Sequence, residues 1–242
     1  MQIAPVEQLK DLIKHFIIYE PQKLGQPLRF FTDGNPGLVI PLENYRLPFL
    51  FPPVAARGEV LAYGPMDRFI DIPAPPLSGL VAVVLQPYGL ETLTGLPSSL
   101  FRNKTFWLNE IPRCDTSQVS RDIRHMRSSM EVIPLIESYL LKIISGREPI
   151  NPIIRESLNL MQSQQGAIPI GELLETLAIS ERNLERKFDQ FIGLSPKKLA
   201  GILRINYYLK LIRDKNSPTT PLVAAIAAGY YDQAHLNNHF KS

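Results

Sequence analysis

The sequence predicts an α+β chain, in which a β-barrel or β-sandwich-like domain with following helices precedes an all-α domain. Three observations support this. Most of the 22 prolines fall in the first half, among short apolar runs, which is typical of short strands and turns. Helical periodicity replaces that pattern after Pro87. Two segments near the C-terminal end then have matching helix-turn-helix outlines.

The N-terminal half begins with a predicted short helix that runs into a strand over 7–19. Residues 27–42 (PLRFFTDGNPGLVIPL) predict strand, turn and strand, with a hairpin turn at 33–37. Short apolar runs follow at EVLAYG and RFIDI. The strongest strand pattern is GLVAVVLQP at 79–87, an apolar run bounded by Gly79 and Pro87.

Helical patterns begin with GLETLTGLP and continue from 118 to 144. The second of these segments has Ile133, Ile136 and Leu140 on one face, and Pro134 is expected near its first turn. The polar stretch SGREPINP then predicts an interdomain linker. We therefore expect one domain over 1–147, a linker over 148–152 and a helical domain over 153–242.

The segment 170–193 predicts a first helix-turn-helix unit. Ser180 is a suitable N-cap, because its hydroxyl can accept a backbone N–H from the first turn of the next helix. That helix, over 180–191, has Leu184 and Phe188 one turn apart on one face. The preceding short helix has an apolar face made of three leucines, Leu173, Leu174 and Leu177.

A matching unit follows 52 residues later, with Asp232 at the N-cap position. An alanine-rich helix is expected to end at Gly229. The second helix, over 232–242, then places Leu236 and Phe240 at the positions equivalent to the two apolar residues of the first unit. Two helix-turn-helix units in tandem are therefore predicted.

Opposite these apolar faces lie side chains that recognise base edges. They are Arg182, Glu185 and Arg186 in the first helix, and Gln233, Ala234, Asn237 and Asn238 in the second. Arginine pairs with guanine, asparagine and glutamine pair with adenine, and glutamate accepts from cytosine. An ordinary solvated face has similar residues, but two copies at matched positions favour recognition of DNA.

A long helix is predicted between the two units. Ser195 is its N-cap and Pro196 its first residue, and it would continue for about 19 residues to Arg213, roughly 28 Å. Successive major-groove entries on one face of B-DNA lie about 34 Å apart. A helix of this length could set two DNA-contacting helices one helical turn of DNA apart.

The segments SERNLERKF, GLSPKKLAGILR and AAIAAGYYDQAHLNNHFK resemble the DNA-binding domain of the AraC/XylS family of bacterial transcription regulators. The resemblance implies an all-helical double helix-turn-helix domain over 153–242, whose base-reading positions are the seven residues named above. It also implies double-stranded DNA and RNA polymerase as partners, and no enzymatic activity.

The N-terminal half is similar to a regulatory domain found in a subset of these regulators. The similarity lies in RFFTDGNPGLVI, VVLQPYGLETLTGLP and MEVIPLIESYLL. It implies control of DNA binding by a small-molecule effector or a protein partner.

The chain departs from the family pattern in its second unit. Ala234 can contact only a thymine methyl group, and Asn238 stands where the family often has arginine. The family continues after Phe240 with a Gly-x-Ser-Pro segment and a final helix. We therefore expect the second unit to be incomplete in this chain, and its helix over 232–242 to fray.

Charge and composition agree with a DNA-binding protein of the cytoplasm. Residues 151–242 hold 11 Lys and Arg against 8 Asp and Glu, so the net charge of +3 falls in this part. Cys114 is the only cysteine, which fits a reducing compartment. The N-terminal segment lacks a signal-peptide pattern, and no apolar run approaches the ~20 residues of a membrane span.

Other chemistry has weaker support in the sequence. His235 and His239 have a zinc-compatible spacing, but no third ligand candidate lies near them, so no metal is predicted. No glycine-rich phosphate loop precedes a helix, so no nucleotide cofactor is predicted. Phe106 and Trp107 could line a pocket, although a place in the core is favoured.

Two alternatives to a regulator remain at this point. One is an enzyme fused to the DNA-binding domain, such as a DNA-repair methyltransferase that uses Cys114 as its reactive thiolate. The other is a protein-interaction module. The sequence around Cys114, PRCD, lacks the helical and histidine context of an activated thiolate.

Overall fold

The α+β class is confirmed. In the computed structural model the described residues are 1–19, 28–30, 32–42, 45–46, 54–55, 58–68, 70–72, 79–126, 128–214, 219–230 and 236. Within them, all ten strands lie before residue 108, and seven of eight α-helices lie after it.

The N-terminal part is built on an antiparallel sheet of six strands in the order β1-β2-β9-β4-β7-β10, with two separate two-stranded ladders, β3-β8 and β5-β6. The strands are β1 (Gln2–Ile3), β2 (Ile13–Tyr19), β3 (Leu28–Phe30), β4 (Gly37–Pro41), β5 (Tyr45–Arg46), β6 (Val54–Ala55), β7 (Leu61–Tyr63), β8 (Ile70–Ile72), β9 (Leu80–Leu85) and β10 (Thr105–Trp107). The short helix predicted to run into a strand over 7–19 is a 3-10 turn at Glu7–Leu9 followed by β2. The strand predicted within 79–87 is β9.

One row of paired residues crosses this sheet and faces the main core. The row consists of Phe16, Val83, Leu38, Ala62 and Phe106. Because side chains alternate across a strand, the neighbouring residues of each strand form the opposite face. Val39, Leu61 and Trp107 pack together there as a separate small apolar cluster.

The turn at 33–37 is not a hairpin turn, which corrects the prediction. The strand before it, β3, pairs with β8, whereas the strand after it, β4, pairs with β7 and β9. Gly34 has φ +80, and a Cβ added there would lie 2.6 Å from Cδ1 of Leu199. Glycine is therefore needed at this position, because the turn lies directly against the helical part of the chain.

Three helices follow or flank the last strands: α1 (Gly89–Thr94), α2 (Ser117–His125) and α3 (Ser129–Ile144). The predicted apolar face of α3 is confirmed, since Ile133, Ile136 and Leu140 are buried in the main core, together with Val132. Pro134 lies inside α3, just after its first turn, at a position where its missing N–H would have donated to a carbonyl of that turn.

The helical part consists of α4 (Pro152–Ser163), α5 (Ile170–Leu177), α6 (Glu181–Phe191), α7 (Pro196–Arg213) and α8 (Pro221–Ala227). Its main core includes Leu158, Leu173, Leu184 and Phe188, and Tyr88 of the N-terminal part packs into the same cluster.

The two parts of the chain are in direct contact. An ion pair joins Arg155 of α4 to Asp11, with 3.0 Å between Nη2 and Oδ2. The Asn206 side chain of α7 donates to the carbonyl oxygen of Thr32 at 2.8 Å. The loop before β4 and the segment before β2 are therefore both tied to the helices.

Candidate nucleic-acid interface

The turn between α5 and α6 has the backbone geometry of a tight helix-turn-helix connection. Ala178 adopts the left-handed conformation, with φ 49 and ψ 45. Its N–H donates to the carbonyl of Glu175 at 3.2 Å, and the N–H of Ile179 donates to that of Leu174 at 3.2 Å. These bonds close the end of α5 and redirect the chain into α6 within three residues.

Ser180 occupies the N-cap position of α6 as predicted, but its hydroxyl does not form the predicted capping hydrogen bond. The capping position is instead defined by the backbone, since the Ser180 carbonyl accepts from the N–H groups of Asn183 and Leu184, each at 3.0 Å. The extended conformation of Ser180 is the one that an N-cap requires, so the helix begins where the sequence placed it.

The two faces of α6 differ sharply in burial. Leu184 and Phe188 are fully buried at 0% exposure, whereas Arg182, Glu185 and Arg186 are exposed. The predicted apolar face therefore exists, and the three predicted base-reading residues of the first unit share the solvent-facing side. Their contact with DNA stays a prediction.

The exposed face of α6 carries charges of both signs. The Arg186 guanidinium donates to Oδ1 of Asn183 at 3.1 Å. Partial burial, followed by repulsion from Glu181 and Asp189, raises the pKa of Glu185. This face can therefore donate to bases through its arginines and accept through Glu185.

The C-terminal end of α6 is held by the N-terminal part, which sequence reasoning missed. The Ser99 hydroxyl donates to Oδ2 of Asp189 at 2.8 Å, and Nη2 of Arg102 lies 3.3 Å from Oδ1 of the same carboxylate. The Ser98 hydroxyl donates to the carbonyl of Phe191 at 3.0 Å. We call these residues, with Arg102 also donating to the Gly193 carbonyl, the α6 clamp. No local pattern marks contacts between residues so distant in sequence.

The helix α7 confirms the predicted connector. The Ser195 hydroxyl accepts from the N–H of Lys198 at 3.2 Å, Pro196 is the first residue, and the helix ends at Arg213. Its 18 residues span about 27 Å. Arg204, midway along α7, donates to the Gly166 carbonyl at 2.9 Å and lies 5.6 Å from the ring centroid of Tyr230.

The second unit is described up to Tyr230, together with Leu236. Thr220 caps α8, accepting from the N–H of Val223 at 3.3 Å, and Gly229 follows the helix with φ +79. Leu236 is helical and buried, packed with Tyr208 and Tyr230, as predicted for the apolar face of the second helix. The rest of that predicted helix, 232–235 and 237–242, lies outside the described residues, and with it Asp232, Gln233, Ala234, His235, Asn237, Asn238, His239 and Phe240.

Cys114 does not have the surroundings of a nucleophile. Its side chain is fully buried, and its thiol donates weakly to the Leu93 carbonyl at 3.5 Å. Burial raises the pKa of Cys114 to about 11, against a smaller opposing effect of Arg147. A reactive cysteine needs a lowered pKa and access to its substrate, so the geometry disfavours the methyltransferase alternative.

Phe106 and Trp107 have different roles. Phe106 stacks on Phe101, with 4.5 Å between ring centroids, and packs against the main core. Trp107 packs with Val39 and Leu61 but also borders a cleft of about 380 Å³ beside Arg121. The predicted place in the core is correct for Phe106. Trp107 packs in the small apolar cluster and also lines the cleft.

Among the described residues, no three His, Cys, Asp or Glu side chains come together as metal ligands. In the same part of the chain, no helix combines the length and the apolar character that crossing a membrane requires.

Comparison with known proteins adds one family match. The model of a domain of unknown function, DUF6597, matches residues 1–107, a region that ends with β10. No curated protein sequence matches the chain.

Several solved structures of ToxT from Vibrio cholerae are similar along most of their length. Apo ToxT of strain SCE256 is 11% identical, with a TM-score of 0.46, and the match covers 93% of this chain and 92% of that one. ToxT of strain O395 is 13% identical, with a TM-score of 0.40 and coverages of 100% and 90%. A ToxT crystal bound to (E)-4-(8-methylnaphthalen-1-yl)but-3-enoic acid is 13% identical, with a TM-score of 0.41 and coverages of 94% and 90%. Since identities and scores are this low, we base the function on the residues of this chain.

Proposed function

We propose that the chain is a sequence-specific DNA-binding transcription regulator of the AraC/XylS type, controlled through its N-terminal part. One observation carries this proposal. The helix α6 follows a tight three-residue turn, buries Leu184 and Phe188 completely, and presents Arg182, Glu185 and Arg186 to solvent. This is the arrangement that places a recognition helix in the major groove.

The chemistry of each exposed side chain fits a base edge. Arg182 and Arg186 can each donate two hydrogen bonds to O6 and N7 of guanine, and Glu185 can accept from N4 of cytosine. These residues lie in the first two turns of α6, the part of a recognition helix that enters the groove. Specific readout by this helix therefore needs no large rearrangement of its side chains.

A second reading helix is proposed over 232–242, with Gln233, Ala234, Asn237 and Asn238 facing DNA. The support comes from α7, whose length of about 27 Å approaches the ~34 Å between successive major-groove entries. Arg204 and Tyr230 join α7 to the second unit, so the connector would hold both helices in one orientation. RNA polymerase is proposed as the protein partner.

The α6 clamp suggests how the N-terminal part could control DNA binding. Its residues contact the last turn of α6, whereas the proposed reading residues lie in the first two turns. An effector or protein partner that shifts residues 98–102 would tilt α6 without touching its reading face. Regulation would then act on the angle at which the helix enters the groove.

The first experiment selects DNA fragments from a random pool with the full chain and sequences those retained. Arg186→Ala is then compared with the parent protein on the selected site and on random DNA. We expect a loss of about 1–3 kcal/mol on the selected site and relaxed preference at one base position, with a much smaller loss on random DNA.

The matched control is Arg121→Ala, which removes the same charge from an exposed side chain of α2. It should leave both affinities unchanged. Equal losses of Arg186→Ala on selected and random DNA would assign Arg186 to a phosphate contact. A pool that shows no enrichment would contradict sequence-specific binding itself.

A further inference from the structure

A second cleft, of about 560 Å³, lies where the N-terminal part, the linker and α6 meet. Its walls come from the end of α1, from Arg113, from residues 146–152 and from Phe191, the last residue of α6. Its volume falls in the range of sites for small molecules. The function proposed above does not use it.

Two guanidinium groups converge beside Gly95 in the lining of this cleft. A Cβ added to Gly95 would lie 3.1 Å from Nη1 of Arg113 and also 3.1 Å from Nη1 of Arg147. The two nitrogens are therefore within about twice that distance of each other. Gly95 has φ +70 and ends α1 in the left-handed conformation that favours glycine. Any side chain at this position would occupy the space between the two cations.

The lining of the cleft also holds the carboxylates of Glu91 and Glu148, and Glu91 interacts electrostatically with Arg147 without pairing with it. Arg147 donates through Nη2 to the Leu93 carbonyl at 2.8 Å, which leaves its Nη1 facing the cleft. Within the described part of the chain, no carboxylate forms an ion pair with Arg113 or Arg147. Two close guanidiniums repel each other, and an anion between them would convert that repulsion into charge-assisted hydrogen bonds.

The rest of the lining is partly apolar. Phe191 and Ile150 are half-buried and pack at the edge of the helical core. We propose that this cleft binds a small organic anion, with a carboxylate or phosphate group held between Arg113 and Arg147 and an apolar portion against Phe191 and Ile150. Such a ligand would touch the N-terminal part, the linker and α6 together. Its binding does not depend on the chain binding DNA.

The test is isothermal titration of the full chain, without DNA, at constant ionic strength. The probes are 3-phenylpropionate, phenyl phosphate and the uncharged 3-phenylpropan-1-ol. We expect binding of one equivalent of at least one of the two anions and none of the alcohol. The stronger of the two anions identifies the preferred headgroup.

The variants are Arg113→Gln and Arg113→Lys. Arg113 is exposed, so both should fold normally, which circular dichroism checks. Arg113→Gln should weaken anion binding by about tenfold or more. The affinity of Arg113→Lys should lie between those of the parent protein and Arg113→Gln, because lysine keeps the charge but lacks the planar fork of donors. The control, Arg121→Gln, changes charge equally at the other cleft and should bind as the parent does.

Three results would overturn the site: neither anion binds, the alcohol binds as well as the anions, or Arg121→Gln weakens binding as much as Arg113→Gln does. Since DNA is absent from the titration, its outcome is separate from that of the DNA selection.

Discussion

At the scale of single residues, Cys114 distinguishes a regulator from an enzyme that uses a thiolate. Its burial raises its pKa to about 11, so at pH 8 the thiol stays protonated and shielded. We predict that a thiol reagent such as Ellman's reagent leaves the folded protein unmodified at pH 8 and titrates one thiol in guanidinium chloride.

The same sample should transfer no methyl group from O6-methylguanine DNA to Cys114, as mass spectrometry of the intact chain would reveal. Rapid labelling of the folded protein, or an added methyl group on Cys114, would restore the enzyme alternative.

Glu185 is one of the proposed reading residues, and its placement should reduce stability. Glu181 and Asp189 lie one turn away on either side, and burial and these two carboxylates raise the pKa of Glu185 above the ordinary 4.5. When folding raises the pKa of a carboxyl, its contribution to the stability of the fold is fully present below pH 4.5, where the group is protonated. That contribution is lost as the pH rises through the pKa of the folded state. Glu185→Gln should therefore stabilise the protein at pH 7 by up to about 0.5 kcal/mol, and not at pH 4.

Urea unfolding at the two pH values measures this difference. The control is Glu156→Gln, on the exposed side of α4. Because Glu156 has no carboxylate three or four residues away, this variant should change the free energy of unfolding little at either pH. A Glu185→Gln variant that is less stable than the parent at pH 7 would show that Glu185 has a stabilising partner.

Single residues of the first unit were largely predictable from the sequence. The burial of Leu184 and Phe188 follows from their spacing, because helical period alone decides which side faces the core. The missing hydrogen bond of Ser180 was not predictable, since the backbone position of an N-cap does not fix the rotamer of its hydroxyl. Asp189 is an exposed residue of α6, and only the fold brings Ser99 and Arg102 against it.

At the scale of elements, the turn between α5 and α6 holds a strained residue. Ala178 is exposed and has a left-handed backbone, a conformation that costs a non-glycine residue about 1–2 kcal/mol. Ala178→Gly should therefore raise the free energy of unfolding by about 0.5–1 kcal/mol, although the added freedom of the unfolded chain opposes part of the gain. Chemical denaturation measures the change.

Ala178→Val is the matched opposite, because a β-branched residue tolerates this conformation least, and it should lower stability. Since the side chain is exposed, neither change alters the core. If Gly destabilises the protein as much as Val does, the turn does not hold Ala178 in the left-handed region.

Elements differed in how well the sequence predicted them. The helices α5, α6 and α7 follow from local periodicity and caps, because their hydrogen bonds close within four residues. The turn at 33–37 has the composition of a hairpin, yet β3 and β4 join different ladders. Turn residues specify a local bend but not the partner strand, which is selected by contacts far away in the sequence.

At the scale of the whole molecule, the two parts of the chain are coupled by polar contacts that single sequence segments cannot show. The Ser98 to Phe191 and Asn206 to Thr32 bonds join residues 93 and 174 positions apart. Such bonds depend on the packed fold, since no periodic pattern in the sequence marks the polar groups that form them. The sequence could therefore propose the two domains and their reading face, but not the α6 clamp.

The proposed boundary at Arg147 and the α6 clamp can be tested together by limited proteolysis. Ser145, Gly146, Glu148 and Pro149 are exposed, so trypsin should cut first after Arg147 and release a β-rich and an all-helical fragment. Arg147 is half-buried, donates to the Leu93 carbonyl and shares a cleft with Phe191 of α6, so we expect cleavage to require a brief movement of α6 away from the N-terminal part. Its rate then reports the free energy of that opening.

Arg102→Ala removes the clamp contacts to Asp189 and Gly193. The Arg102 and Asp189 side chains are 39% and 59% exposed, and an ion pair this open contributes at most about 1 kcal/mol. We therefore predict cleavage after Arg147 that is roughly two- to fivefold faster than in the parent protein. Arg68→Ala, another exposed arginine, should leave the rate unchanged. Protection of Arg147 with first cuts elsewhere would mean that the two parts form one domain, and an unchanged rate in Arg102→Ala would mean that other contacts hold α6 in place.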